Sequence, residues 1–186
     1  MPEDFLLANG GQFVFFEKDR LAPRDREHGS AYIRSLAYTQ KILDVLGGTE
    51  VDRRQTCHVP TLFDVGVLRD LESLLPDEFA HNSRLRFRSG NILQLHFLYS
   101  HYLREISSRA HLTAAQYLER PSREYCLIAL EPNPLRMIKR FLYAFYKRPK
   151  FFCINDHLSE PSRLVSLLLK LFLSTYYPHP SSFEKT

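Results

Sequence analysis

The chain has 186 residues, of which 44% are hydrophobic and 25% are charged, and its formal net charge is +4. This length allows one domain, and the composition excludes collagen, a coiled coil and a wholly disordered chain. The three cysteines, Cys57, Cys126 and Cys153, are too few and too far apart for a disulfide scaffold, and no Cys-x-x-Cys pair suggests a zinc or redox site.

No signal peptide or membrane helix is expected from the sequence. The N-terminus has neither the basic nor the apolar region of a signal peptide. The longest apolar stretch, residues 164–173, is interrupted by Ser166 and Lys170, and it is much shorter than the ~20 residues that cross a bilayer. The localisation is therefore left open.

The first predicted elements are a strand and a helix. Residues 13–17, Phe-Val-Phe-Phe-Glu, follow a glycine-containing turn and predict a short strand. From Ser30 onward the apolar residues have helical spacing, and Gly47 and Gly48 lie where a helix C-cap belongs. We therefore expect the helix to end at this glycine pair.

A loop and a second helix are predicted next. Pro60 restricts the residue before it, so we expect His58 to lie on an extended loop. Asp64 is a typical N-cap for a helix over residues 65–75, whose leucines and valines lie on one face. Pro76 is expected to end this helix.

The C-terminal half alternates between helices and strands. Residues 92–106 predict a largely buried helix, and residues 125–130 and 151–154 are apolar runs of strand length. A further helix is expected from Glu160 to Tyr176. The mixture predicts an α/β fold class with few short strands and flanking helices.

A basic helix is predicted between these two strands, because apolar residues recur every three or four positions. The apolar residues that share one face are Leu135, Ile138, Leu142 and Phe145. The basic residues on the exposed sides are Arg136, Lys139, Arg140 and Lys147. Arg136, Lys139 and Arg140 are candidates for binding an anion, such as phosphate or a membrane surface, and the alternative is a solvated face.

Three residues are candidates for catalysis: His58, Arg88 and Asp156. A histidine titrates near neutrality and can act as a general base, an arginine binds phosphate, and an aspartate at a strand end can hold Mg²⁺. Each also has a structural interpretation. His58 can be an ordinary surface residue, Arg88 can belong to a solvated face with its basic neighbours, and Asp156 can cap a turn.

Nucleic-acid binding is not expected. The phenylalanines and tyrosines of residues 87–102 are more typical of a core than of a base-stacking surface, because no RNP1 motif accompanies them. The sequence also contains no P-loop and no Gly-x-Gly-x-x-Gly motif.

Two segments, in the correct order, carry a resemblance to a known family. His58-Val-Pro-Thr-Leu-Phe-Asp64, with Phe87-Arg88 about thirty positions later, resembles conserved region 3 of the Stealth family. Residues 150–156 and the closing Pro-x-Pro-Ser-Ser-Phe-Glu, residues 178–184, are similar to conserved region 4. The Stealth family comprises hexose-1-phosphoryltransferases, among them bacterial capsule polymerases and N-acetylglucosamine-1-phosphotransferase.

The resemblance implies a single Stealth-like domain fragment covering the whole chain. Its parts would be the tail of region 2 in residues 1–23, region 3 in 30–108, a connecting strand and basic helix in 109–149, and region 4 in 150–186. The family's donor-binding segments, with their Trp-Val-Asp-Gly and Asn-Asp-Asp sequences, are absent from this chain. We therefore expect the chain to be incomplete alone and to act with a donor-binding half or with a second copy of itself.

The resemblance also implies an activity and residue roles. The family transfers sugar-1-phosphate from a UDP-sugar to a hydroxyl of an acceptor glycan, with Mg²⁺ or Mn²⁺ as the expected cofactor. His58 would act on the acceptor hydroxyl as base, Arg88 would neutralise the transferring phosphate, and Asp156 would lie at the metal or phosphate site. The three side chains are then expected to line one cleft, on the order of 10 Å across.

Two positions depart from the family pattern. Ile92 stands four residues after Arg88, where the family has an aspartate, and Gln40 replaces a family asparagine. The alternative to an enzyme is a non-catalytic module that binds an anionic glycan, a membrane surface or a partner subunit through the basic helix.

Overall fold

The computed structural model divides the chain into two compact units, residues 1–119 and residues 120–186. Each unit has its own hydrophobic core. Whether the whole chain acts as one Stealth-like domain stays a prediction. The residues that the structure describes are 12–20, 29–87, 89–118, 123–156, 158, 160 and 162–179.

The first unit contains a three-stranded sheet in the order β2-β1-β3. The central strand β1, Gln12–Arg20, pairs antiparallel with β2, Arg54–Thr56, and parallel with β3, Thr113–Leu118. Strand β1 confirms the strand predicted at residues 13–17. Strands β2 and β3 were not predicted, because neither is an apolar run and each is held in the sheet by pairing with a distant segment.

The helices of the first unit are α1, Ala31–Gly47, α2, Val65–Leu74, α3, Pro76–Arg84, and α4, Leu95–Glu105, and a 3-10 turn follows at Ala110–Leu112. Helix α1 ends as predicted, since Gly48 has a φ of 70° in the left-handed region that glycine adopts without strain. Pro76 ends α2 but also begins α3, which was not predicted. Proline is well suited to the first position of a helix.

The core of the first unit is built around α4. Its residues Phe97, Leu98, Tyr99 and Leu103 are almost completely buried and pack with apolar residues of α1 and α2. This confirms the prediction of a buried helix in this region. Gln40 of α1 is also buried, and its side-chain amide donates a hydrogen bond to the Val51 carbonyl at 3.1 Å.

A buried ionic network joins α1, α4 and the segment before β2. The guanidinium of Arg53 is 2% exposed, and it pairs with Asp44 and, at 2.7 Å, with Glu105. His101 lies 2.9 Å from Glu105 and also contacts the Arg54 carbonyl. Burial alone would raise the pKa of Glu105, but hydrogen bonds and charge from His101 and Arg53 outweigh it and lower the pKa to about 2.

The second unit contains a parallel pair of strands connected by a helix. Strand β4, Tyr125–Leu130, pairs with β5, Phe151–Asp156, so that Leu130 is opposite Asp156. Helix α5, Pro134–Lys147, joins them, and α6, Arg163–Tyr176, follows. These elements confirm the two predicted strands, the two predicted helices and, with the first unit, the α/β class. Helix α6 begins at Arg163, three residues after the predicted start at Glu160.

The predicted orientation of α5 is wrong. Its buried residues are Met137, Phe141 and Ala144, whereas Leu135 and Leu142 are 69% and 63% exposed. Both sets of residues have the spacing of a helix face, so the sequence pattern alone could not choose between them. The buried set packs with β4 residues in the core of this unit.

Among the described residues, no helix combines the length and the apolarity that a membrane span requires.

The ionic network makes a prediction about stability. Replacement of Arg53 by methionine leaves the carboxylates of Asp44 and Glu105 without their buried cation, so we expect the free energy of unfolding to fall by about 3 kcal/mol. Urea unfolding measures this change. Lys41→Met, at an exposed position of α1, is the matched control, and a loss for Arg53→Met no larger than that of the control would contradict the role of the network.

Candidate functional site

His58 lies in the loop between β2 and α2, as the sequence analysis predicted, and its side chain is exposed. The residue before it, Cys57, is buried, and its backbone N–H donates to the Phe15 carbonyl at 3.0 Å. The Val59 N–H donates to the Cys57 carbonyl at 2.9 Å and closes a tight turn around His58. The loop is therefore hydrogen-bonded to β1 as far as Cys57, and His58 is exposed to solvent.

The far end of this loop is fixed by Asp64, the N-cap of α2. One carboxylate oxygen, Oδ1, accepts from the backbone N–H groups of Gly66 at 2.7 Å and Val67 at 3.2 Å. The other oxygen, Oδ2, pairs with the Arg109 guanidinium. The hydrogen bond from Val67, supported by Gly66 and Arg109, holds the pKa of Asp64 below its usual value against the effect of desolvation.

Tyr99 of α4 connects this loop to the sheet. Its hydroxyl accepts a hydrogen bond from the Asp64 N–H at 2.7 Å and donates one to Gln12 Oε1 at 2.6 Å. Burial raises the pKa of the Tyr99 hydroxyl, so it keeps the proton that it donates. The Phe63 ring packs edge-on against Tyr99 at 4.7 Å. One side chain thus joins strand β1, the loop and helix α4.

His96, also on α4, contacts the same loop. Its Nε2 is 2.6 Å from Thr61 Oγ1. The pKa of His96 is lowered to about 4, mainly by burial and also by the charges of the neighbouring His58 and His101. The imidazole is therefore neutral at pH 7, and the Thr61 hydroxyl bonds to an uncharged ring.

Four residues of the site were not predicted from the sequence: His96, Tyr99, Gln12 and Arg109. His96 and Tyr99 look like ordinary members of a buried helix. Gln12 is 87 residues away from Tyr99 in the chain. The three-residue spacing of His96 and Tyr99 was the only available signal, since it places both on one side of a helix.

Asp156 lies at the carboxyl end of β5, in the second unit. It lines a cavity of about 400 Å³ together with Leu130, Leu158 and two serines, Ser162 and Ser166. Asp156 Oδ1 accepts a hydrogen bond from the Leu158 N–H at 2.9 Å, so Asp156 caps a turn, as its structural interpretation predicts. The carboxylate is exposed at the strand edge where parallel α/β sheets bind ligands.

Arg88 lies outside the described residues, and Asp156 belongs to the second unit, whereas His58 belongs to the first. The expectation that these three side chains line one cleft stays a prediction.

The three candidate anion-binding residues of α5 have different surroundings. Arg136 and Arg140 both pair with Glu131, at 3.3 and 2.9 Å, and Arg140 also donates to the Ala129 carbonyl at 2.5 Å. Lys139 is exposed. Glu131 therefore offsets part of the charge that the sequence analysis assigned to anion binding.

Two segments of the chain match models of a known protein family. Residues 57–105 match Stealth protein conserved region 3, and residues 145–186 match Stealth protein conserved region 4. The chain belongs to the Stealth family. The region 3 match spans the His58 loop through α4, and the region 4 match includes β5 and α6, so both Stealth regions contain residues of the candidate sites.

Two curated relatives are similar to this Stealth chain. An exopolysaccharide phosphotransferase of Streptomyces coelicolor is 27% identical over 99% of this chain and 30% of its own length. The capsular polysaccharide phosphotransferase SacB of Neisseria meningitidis serogroup A is 32% identical over 69% of this chain and 23% of its own length. The chain thus spans less than a third of each relative.

The low pKa of His96 predicts how stability depends on pH. An unfolded histidine binds a proton below about pH 6.5, whereas folded His96 does so only near pH 4, so acidification through this window favours unfolding. Between pH 6.5 and pH 4, the free energy of unfolding should fall by up to about 3 kcal/mol more for the wild-type chain than for His96→Gln. Urea unfolding at a series of pH values measures the difference, and equal pH dependence of both proteins would contradict the assignment.

Proposed function

We propose that this chain forms the acceptor and phosphate side of a phosphotransferase that moves sugar-1-phosphate from a UDP-sugar to a hydroxyl of a polysaccharide. The observation that carries the proposal is the region 3 match, which begins at Cys57 and so contains the exposed His58 on its anchored loop. The polysaccharide phosphotransferase names of both relatives support the reaction class.

In this proposal His58 is the general base. The acceptor hydroxyl oxygen attacks the phosphorus that carries the sugar, and its proton passes to a ring nitrogen of His58. The bond from that phosphorus to the bridging oxygen breaks, and UMP leaves with the bridging oxygen. The products are a phosphodiester between sugar and acceptor, UMP, and a proton on His58. An exposed imidazole on a fixed loop has the accessibility that this proton transfer requires.

Arg88 and Asp156 are proposed to act on the phosphate. A guanidinium can hold two phosphate oxygens and balance the charge that is shared among them in the transition state. Asp156 offers one exposed carboxylate at a strand edge. Within the described ranges no three histidine, cysteine, aspartate or glutamate side chains form a group that could hold a metal.

A single carboxylate is nevertheless consistent with a divalent ion. Mg²⁺ and Mn²⁺ favour oxygen ligands, and Mg²⁺ in particular is often held by one or two carboxylates together with substrate phosphates and water. Asp156 would be the protein ligand in such a site. When bound, the ion supplies positive charge to phosphate oxygens. The donor nucleotide is proposed to be bound by a separate donor-binding half or by a second copy of the chain.

The second candidate function is non-catalytic binding of an anionic glycan or a partner subunit. The exposed Lys139 and the basic composition of α5 favour it. Under this alternative, His58 would have no role in turnover.

A chimera tests the proposal. In the Streptomyces coelicolor relative, the segment that aligns with 99% of this chain would be replaced by this chain. With a UDP-sugar, a polysaccharide acceptor and Mg²⁺ or Mn²⁺, we expect release of UMP and formation of a phosphodiester that ³¹P NMR detects. His58→Ala should reduce the rate by about 10²–10⁴-fold, the usual contribution of a general base.

His111→Ala is the matched control, because His111 is also an exposed histidine of the first unit. The control should retain the activity of the unaltered chimera. Equal activity of His58→Ala and His111→Ala would remove His58 from the mechanism. The non-catalytic alternative would be favoured if the unaltered chimera folds and binds the acceptor but releases no UMP.

A further inference from the structure

Helices α5 and α6 expose a broad apolar surface on the second unit. Six large apolar side chains, three from each helix, are each at least 51% exposed. We call them the two-helix face, and they are Leu135, Leu142, Tyr146, Leu164, Leu167 and Leu171. On each helix they recur at intervals of three, four or seven residues, so each helix presents a continuous apolar stripe.

An apolar cavity of about 250 Å³ lies between α5 and α6. Leu142 and Leu171 border this cavity, and its lining is aliphatic and aromatic apart from Thr175. A cluster of exposed apolar side chains is typical of a surface that contacts a membrane, another protein or a ligand.

The same helices carry a one-sided charge. Helix α5 has four basic residues and α6 has two, and neither helix contains an aspartate or a glutamate. Lys139 is four residues after Leu135 and three before Leu142, and Lys170 is three after Leu167, so both lysines adjoin the two-helix face. Both are exposed. Glu131, which pairs with Arg136 and Arg140, compensates only part of this charge.

We propose that the two-helix face binds the surface of an anionic lipid bilayer. Projecting leucines would enter the boundary between headgroups and acyl chains, Tyr146 would lie at the headgroup level, and the basic residues would contact lipid phosphates. This is peripheral binding by helices that lie in the plane of the membrane. It does not rest on the proposed phosphotransfer, because none of the proposed catalytic residues His58, Arg88 and Asp156 belongs to the two-helix face.

The charge argues against a second copy of the chain as the occupant. A symmetric dimer through this face would bring the basic residues of both copies together, and like charges oppose such an interface. The spread of the exposed apolar residues argues against a single peptide helix as the occupant. Leu142 and Leu171 line the groove between the helices, but Leu135, Tyr146, Leu164 and Leu167 are exposed outside it, so the apolar surface extends beyond a groove that one peptide helix would fill.

Co-sedimentation with vesicles tests the proposal. The full chain should bind vesicles of mixed phosphatidylglycerol and phosphatidylcholine at low salt, and binding to pure phosphatidylcholine should be much weaker. Lys139→Glu with Lys170→Glu should lower the partition coefficient by about tenfold or more, and added salt should weaken wild-type binding. Leu142→Ser with Leu167→Ser should cause a comparable loss.

The matched controls are Lys41→Glu and Val45→Ser on α1 of the first unit, where both positions are exposed and outside the two-helix face. They should bind vesicles as the wild type does, and circular dichroism should show that all variants are folded. Several results would overturn the proposal. These are no binding to anionic vesicles, equal binding by face and control variants, or sedimentation showing that the face variants abolish a dimer of the chain.

Discussion

The hydroxyl of Tyr99 is the contact on which the arrangement of the first unit depends. It is buried on α4 and bonds at once to Gln12 on β1 and to the backbone of Asp64 at the start of α2. Loss of either partner would leave a buried polar group unsatisfied, at a cost of about 1–3 kcal/mol. Because the His58 loop ends at Asp64, this one hydroxyl helps to determine where the loop runs and therefore where His58 is presented.

The second unit positions Asp156 by a different principle. Two parallel strands joined by a helix place the last residues of both strands at one edge, and the backbone pairing of Leu130 with Asp156 defines that edge. The core side of α5 holds this arrangement through Met137, Phe141 and Ala144. On the other side of α5, Leu135, Leu142 and Lys139 are exposed. Helix α5 thus buries one side in the core and exposes the other.

Much of the fold could be predicted because it depends on local patterns. The Asp64 cap, the Gly48 helix end and the apolar run of β4 are recognisable from a few neighbouring residues. Strand β3 could not be found in this way, because its place depends on pairing with β1 about a hundred residues earlier. The buried face of α5 was also undetermined, since two sets of residues had equal periodicity. At the candidate site, His58 was found through its motif, whereas the roles of Tyr99 and His96 depend on contacts across the fold.

Hydrogen exchange at the Asp64 amide tests most directly whether Tyr99 holds the His58 loop. In the wild-type chain this amide should exchange slowly, because it donates to the Tyr99 hydroxyl. In Tyr99→Phe it should exchange about tenfold faster or more, as the loss of a buried hydrogen bond implies, while the helical amides of Leu98 and Leu103 keep their protection. Rapid exchange of Asp64 in the wild type, or an unchanged rate in Tyr99→Phe, would contradict the account.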